Sequence, residues 1–157
     1  MTPPQEPAPF PIELTQTLTG LEQLEALRDQ KIPMAPMLAL MNMRLLEVSK
    51  GRVIFSAVPE HRHYNPQGTV HGGFTATVLD SAMGCAVLTM LPANTGHTTL
   101  EFKINLVRPL FAETGELRAE AWIVHGGRRV STAEGRLLAP DGKLLAHGST
   151  TCMALSA

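Results

Sequence analysis

One stretch limits what this chain can fold into. From His71 to Leu91 the sequence is apolar on nearly every side of a helix about six turns long, which describes a helix buried all round. A single residue departs from that description. Between His63 and Glu101 the only Asp, Glu, Lys or Arg is Asp80, in the middle of this helix with no basic residue within a turn or two to pair with it. A buried carboxylate without a partner is costly, and where it is kept it usually has a function.

The segment before the helix has its own chemistry. Asn65-Pro66-Gln67-Gly68-Thr69-Val70 supplies turn formers, and His71-Gly72-Gly73 follows with two glycines whose backbone can be approached closely. The first N–H groups of a helix have no internal partner and lie at the positive end of its dipole, so they can hold an anion or a developing oxyanion. Donors and a carboxylate on one helix suggest acyl chemistry.

The remaining composition narrows the field. At 157 residues the chain is long enough for one sizeable core and gives no sign of two. A net charge of −1 with scattered Lys and Arg argues against nucleic acid, which needs a concentrated basic face. Cys85 and Cys152 stand in apolar surroundings without metal-ligand spacing and read as reduced core residues. His61 and His63 lack a third ligand, so no metal site is expected and the two read as solvated loop histidines. Asp80, three glycines and several hydroxyl residues speak against the long helix spanning a membrane. No secretory signal is visible, and a cytoplasmic protein is expected.

In chain order, residues 1–11 carry five prolines and read as a loose tail. Thr19 and Glu22 form a capping box, and Leu21, Leu24 and Leu27 mark one face of a short helix ending near residues 31–33. Pro36 opens a second short helix. Strands are expected at 43–49 and 52–58 as a hairpin through Lys50-Gly51, with the long helix after them. His97 to Val107 alternates, with Leu100, Phe102, Ile104 and Leu106 on one face and Thr99, Glu101, Lys103 and Asn105 on the other. Further strands follow at 116–123, 128–138 and 144–153, turning at Gly126-Gly127 and Asp141-Gly142, so four strands by consecutive hairpins are expected after the helix. An antiparallel sheet curled around one central helix would bury it.

The run Asn65-Pro66-x-Gly68-x-x-His71-Gly72-Gly73, followed by Asp80, resembles the signature of the hotdog-fold acyl-CoA thioesterases of the phenylacetate-degradation type, and the similarity extends over roughly residues 36–153. It implies an α+β hotdog domain at 36–157 after a tail and short helix at 1–35. It also implies hydrolysis of acyl-CoA thioesters, with Asp80 as nucleophile or general base and the Gly72 N–H polarising the thioester carbonyl. Asn65 would orient the carboxylate or the water, His71 would take a direct part in the chemistry as a catalytic residue, and Thr99, counted back from Arg108-Pro109, would assist the water, with Thr98 as the alternative. Gly73, Arg128 and Arg129 would meet the substrate, the arginines as donors to coenzyme A phosphates. No cofactor is implied beyond coenzyme A as part of the substrate, and the chain would self-associate as a dimer or a homotetramer built as a dimer of dimers.

Plainer readings stand beside these. Asp80 could be satisfied by Ser or Thr hydroxyls, Gly72 could merely start the helix, Asn65 form a turn, His71 cap the helix, and the arginines form a solvated turn. Two other functions also remain: a non-catalytic acyl-CoA-binding or regulatory hotdog module, and the hydratase branch of the same fold.

Overall fold

The computed structural model describes residues 6–156; Pro3 and Pro4 of the proline run lie outside the described residues. Three short helices come first, α1 (Ile12–Thr17), α2 (Gly20–Arg28) and α3 (Pro36–Leu40). The hairpin β1 (Met43–Ser49) and β2 (Arg52–Ala57) leads through a 3-10 turn at His61–His63 to the long helix α4 (Gly72–Leu88). Then come β3 (Thr95–Leu106), β4 (Leu117–Gly126), β5 (Val130–Leu138) and β6 (Leu144–Ser156). Every strand pairs antiparallel in one six-stranded sheet of order β1-β2-β4-β5-β6-β3. This is the hotdog architecture, a curved sheet around one helix.

The sheet order corrects one expectation. β3 does not form a hairpin with β4 but crosses to pair with β6, so it is an edge strand while β2 takes the place beside β4. The inner faces bury Val53, Phe55, Leu117, Ala119, Ala121, Ala133 and Leu137 against Val78, Leu79, Ala82, Met83 and Ala86 of α4. Each large apolar side chain in this layer contributes about 1.5–3 kcal/mol. Small residues on β4 and β5 let the helix approach: a Cβ on Gly135 would lie 3.0 Å from Met83 Cγ.

The long helix is not buried all round. It is covered on most sides, but Gly73, Thr77, Asp80 and Ser81 are exposed or half-buried and form a stripe down one face. Their spacing of three to four residues makes it a continuous seam.

The N-terminal region is tied to this chain rather than loose. Phe10 and Leu14 pack against the core, Ala8 N–H donates to Met34 O at 2.9 Å, and residues 12–17 form a helix where no regular structure was expected. The Thr19–Glu22 capping box is present, Leu24 and Leu27 are buried, and α2 ends at Arg28, before the expected stop. Its first residue rests on the far end of α4, where Gly20 N–H donates to Leu91 O at 3.0 Å.

The outer face of the sheet is polar. Glu120 on β4 accepts from Arg118 Nε at 2.8 Å and from both Nε and Nη2 of Arg136 at 3.0 and 2.8 Å. The Arg118 hydrogen bond is the main force holding its carboxyl below the usual glutamate range, against burial and with help from Arg136.

Candidate active site

α4 starts by a cap built from its own sequence. His71 is the N-cap, and Gly73 N–H donates to His71 Nδ1 at 2.8 Å. A side chain at Gly73 would collide with that ring, its Cβ falling 2.8 Å from Nδ1, so the second glycine is what allows the histidine to cap. Phe74 N–H donates to His71 O at 2.9 Å. Among the described residues nothing accepts from the Gly72 N–H, which leaves one helix-start donor available.

The preceding loop is held by Asn65. Its Oδ1 accepts from the N–H groups of Gln67 and Thr69 at 3.0 and 3.2 Å, and its Nδ2 donates to Thr69 Oγ1 at 2.8 Å. Within one chain Asn65 is therefore a loop former with one amide hydrogen to spare. The neighbouring His63 is not a solvated histidine. It is half-buried, tilted on Phe74 with ring centroids 4.6 Å apart, and its Nδ1 accepts from Glu60 N–H at 2.9 Å.

Asp80 is half-buried, not fully buried, and no cation pairs with it among the described residues. Its Oδ1 accepts a hydrogen bond from Thr99 Oγ1 at 3.0 Å. The hydroxyl that reaches the carboxylate is Thr99's; Thr98 points away and is exposed. The alternation expected for this strand fails at one point. A bulge between Thr99 and Glu101 shifts the register, so Thr99 opposite Cys152 shares the inner face with Phe102 opposite Thr150 and Ile104 opposite Gly148.

Two further side chains line this seam. His97, two residues before Thr99, lies over α4 one turn beyond Asp80, where a Cβ on Gly84 would fall 3.0 Å from its Nε2. Burial pushes its pKa down, with the Asp80 charge opposing, which favours the neutral imidazole. Cys85 is driven up to about 12, chiefly by burial and then by Asp80. Both cysteines are free thiols. His97 was legible only as sharing the face of Thr99 at a strand period of two; Cys152 was not, because only the cross-strand register places it beside Thr99.

The structure does not bring the remaining candidates to Asp80 of the same chain. Gly72 lies eight residues earlier on α4, about 12 Å along the axis, and His71, Gly73 and Asn65 belong to that same end. Arg128 and Arg129 form the β4–β5 turn, exposed and without an ion-pair partner among the described residues. Among the described residues no three His, Cys, Asp or Glu side chains gather closely enough to hold a metal ion, and no helix is long and apolar enough to cross a membrane.

Fold and site together define a hotdog chain carrying one oriented carboxylate on its central helix. The model of the thioesterase superfamily matches residues 67–146, just over half of the chain, and the chain belongs to that superfamily. It is similar to a thioesterase family protein from Silicibacter pomeroyi, with 30% identity over 78% of this chain and 90% of that one at a TM-score of 0.72. A candidate thioesterase of Ralstonia eutropha JMP134, described as phenylacetic acid degradation-related, shares 27% identity over 82% of this chain and 97% of its own at a TM-score of 0.75, and represents the same type. A candidate esterase of Caenorhabditis elegans is 30% identical over 68% of this chain and 62% of its own. The chain spans about three fifths of the length of the first two curated relatives it matches.

Proposed function

We propose that this chain hydrolyses acyl-CoA thioesters to a free acid and coenzyme A. The observation that carries the reading is Asp80: a half-buried carboxylate without a cation among the described residues, oriented by Thr99 at 3.0 Å, on a helix with no other charge. A carboxylate so held serves either to take a proton from water or to attack the acyl carbon itself. In the first case the water oxygen bonds to the acyl carbon as the C–S bond breaks. In the second, Asp80 and the acyl group form a mixed anhydride as the C–S bond breaks, and one water then cleaves that anhydride. In both the departing thiolate takes a proton.

The carbonyl needs a donor, and Gly72 at the start of a helix has an N–H that is free among the described residues. About 12 Å of helix separates it from the carboxylate of its own chain, so one thioester cannot meet both. The reading therefore requires two copies, each giving Asp80 to one site and Gly72 to the other. Two features support such a pairing: the open seam on α4, and the unpaired edge of β3 with Leu100, Phe102 and Leu106 exposed along it. Asn65 and His71 then come from the Gly72 side, where the spare amide hydrogen of Asn65 holds the water or the carboxylate. Gly73, Arg128 and Arg129 meet the coenzyme A portion, the arginines through its phosphates. Dimers pair further into a homotetramer in the cytoplasm, and the chemistry calls for no cofactor besides the coenzyme A of the substrate.

The test is a panel of aryl and aliphatic acyl-CoAs with a thiol reagent, run beside simple acyl thioesters that lack the nucleotide. Thiol release that is much faster from the coenzyme A esters supports the reading. Tight binding without release would make the protein a binding module, and equal rates on the simple thioesters would remove coenzyme A recognition.

A further inference from the structure

We propose that Cys152 is a positioning residue for this site: its thiol donates to Thr99 Oγ1 and thereby commits the single hydroxyl proton of Thr99 to Asp80. The inference rests on the Asp80–Thr99 reading of the site and goes beyond it.

Cys152 is fully buried, on β6, directly opposite Thr99. Its Sγ lies 3.8 Å from Thr99 Oγ1 and 4.0 Å from Thr150 Oγ1. The direction of these two contacts follows from counting protons. A hydroxyl has one proton to give and lone pairs to receive with. Thr99 gives its proton to Asp80 Oδ1 at 3.0 Å, and Thr150 gives its proton to Glu101 O at 2.8 Å. Toward the sulfur both hydroxyls therefore present lone pairs, the thiol is the only donor of the three, and its one proton is assigned to the nearer oxygen, that of Thr99. A thiol kept protonated can play that part, and burial raises the pKa of this one.

The geometry is held on both sides. Without the bulge after Thr99, the strand could not face Thr99, Phe102 and Ile104 inward together, and the hydroxyl would turn away from both Asp80 and Cys152. With it, Cys152, Thr99 and Asp80 form a chain in which each donor points toward the carboxylate. Such chains strengthen one another's members. Without the thiol, the Thr99 hydroxyl is free to leave the rotamer that serves Asp80.

Two measurements test this. Three-bond couplings to the Thr99 Cγ2 methyl carbon read its χ1 rotamer directly and need no turnover. A single rotamer is expected in the native protein and in Cys152→Ser, and averaging in Cys152→Ala and in the volume-keeping Cys152→Val; unchanged couplings in both apolar variants would overturn the proposal. In steady-state kinetics on the best acyl-CoA, Cys152→Ala should lower kcat about 3- to 10-fold at constant KM, the size of one ordinary hydrogen bond. Cys152→Ser should recover the rate, and adding Cys152→Ala to Thr99→Val should cost nothing more. An equal loss in the Thr99→Val background would also overturn it, since Cys152 would then act without Thr99. Full turnover in Asp80→Asn would instead remove Asp80 from the mechanism, and the couplings alone would then decide about Cys152.

Discussion

Thr99 and Asp80 stand nineteen residues apart in the chain, and the threonine hydroxyl donates to the carboxylate at 3.0 Å. The contact belongs to a series that runs along α4 in reverse chain order. Leu106 lies by Gly72, Thr99 by Asp80 and His97 by Gly84, so β3 returns against the helix direction. The carboxylate is thus oriented by a strand whose other edge is free.

Asp80→Asn keeps an oxygen for Thr99 to donate to and removes the charge. Thiol release should fall by at least about 100-fold, as expected for a lost base or nucleophile, with the melting temperature nearly unchanged. If the charge served the fold instead, the melting temperature would move and the rate per folded molecule would not.

Thr99→Val keeps the shape of the side chain and removes its hydroxyl. A loss of about tenfold in kcat is expected from one hydrogen bond to a charged group. Thr98→Val, on the exposed side of the same strand, should leave kcat where it was. Comparable losses in the two variants would mean that the strand matters and the hydroxyl does not.

The parts of this arrangement that were legible in the sequence are the ones whose cause is local. The capping box lies within Thr19–Glu22, the turns within Lys50-Gly51 and Asp141-Gly142, and the helix with its lone carboxylate within one uncharged stretch. The spacing from Arg108-Pro109 also led to Thr99. What stayed hidden depends on distant pairing. Nothing in the residues of β3 says that its partner is β6, more than forty residues on, and the bulge at Leu100 has no compositional mark such as a glycine. Without that bulge the alternation puts Thr99 on the outer face with Lys103, and Cys152 cannot be connected to the site. The open seam on α4 was hidden for a related reason: small apolar residues such as Gly73 and Ala76 look the same in a core and beside an edge.

One close approach seats the N-terminal helix α2 against the end of α4. A Cβ on Gly20 would fall 1.9 Å from Leu88 O, in backbone that cannot move aside without disturbing the end of α4. Gly20→Ala should therefore destabilise the protein by about 1–3 kcal/mol, the usual cost of overpacking. Gly96→Ala, with nothing within 4 Å of the added carbon, is the control and should leave the urea midpoint close to native. Equal midpoints for both variants would show that α2 does not rest on α4.

Glu120 gives the acid side of stability. Its folded pKa is depressed, first by the Arg118 hydrogen bond, so its contribution is complete above the unfolded value of about 4.3 and is lost as pH falls through the lower folded value. Urea midpoints measured from pH 6 to pH 3 should fall more steeply for the native protein than for Glu120→Gln. The two curves should converge at the acid end. Parallel curves would mean that the carboxylate gains nothing from its arginines.

The separation of Gly72 from Asp80 makes the shared site testable by mixing two inactive proteins. Asp80→Ala removes the carboxylate. Gly72→Pro removes the N–H at the first helical position, where proline is tolerated because that N–H has no helical acceptor. A mixed dimer then holds one site with both damaged groups and one with Asp80 from the first-turn variant and Gly72 from the carboxylate variant. With random exchange half the dimers are mixed, and each carries one working site of two, so recovery should approach roughly a quarter of native activity. Both variants must melt cooperatively, and exchange is checked by mixing differently tagged native chains. No recovery under those conditions would confine each site to a single chain, and the 12 Å of helix between Gly72 and Asp80 would then exclude the Gly72 N–H as the donor to the thioester carbonyl.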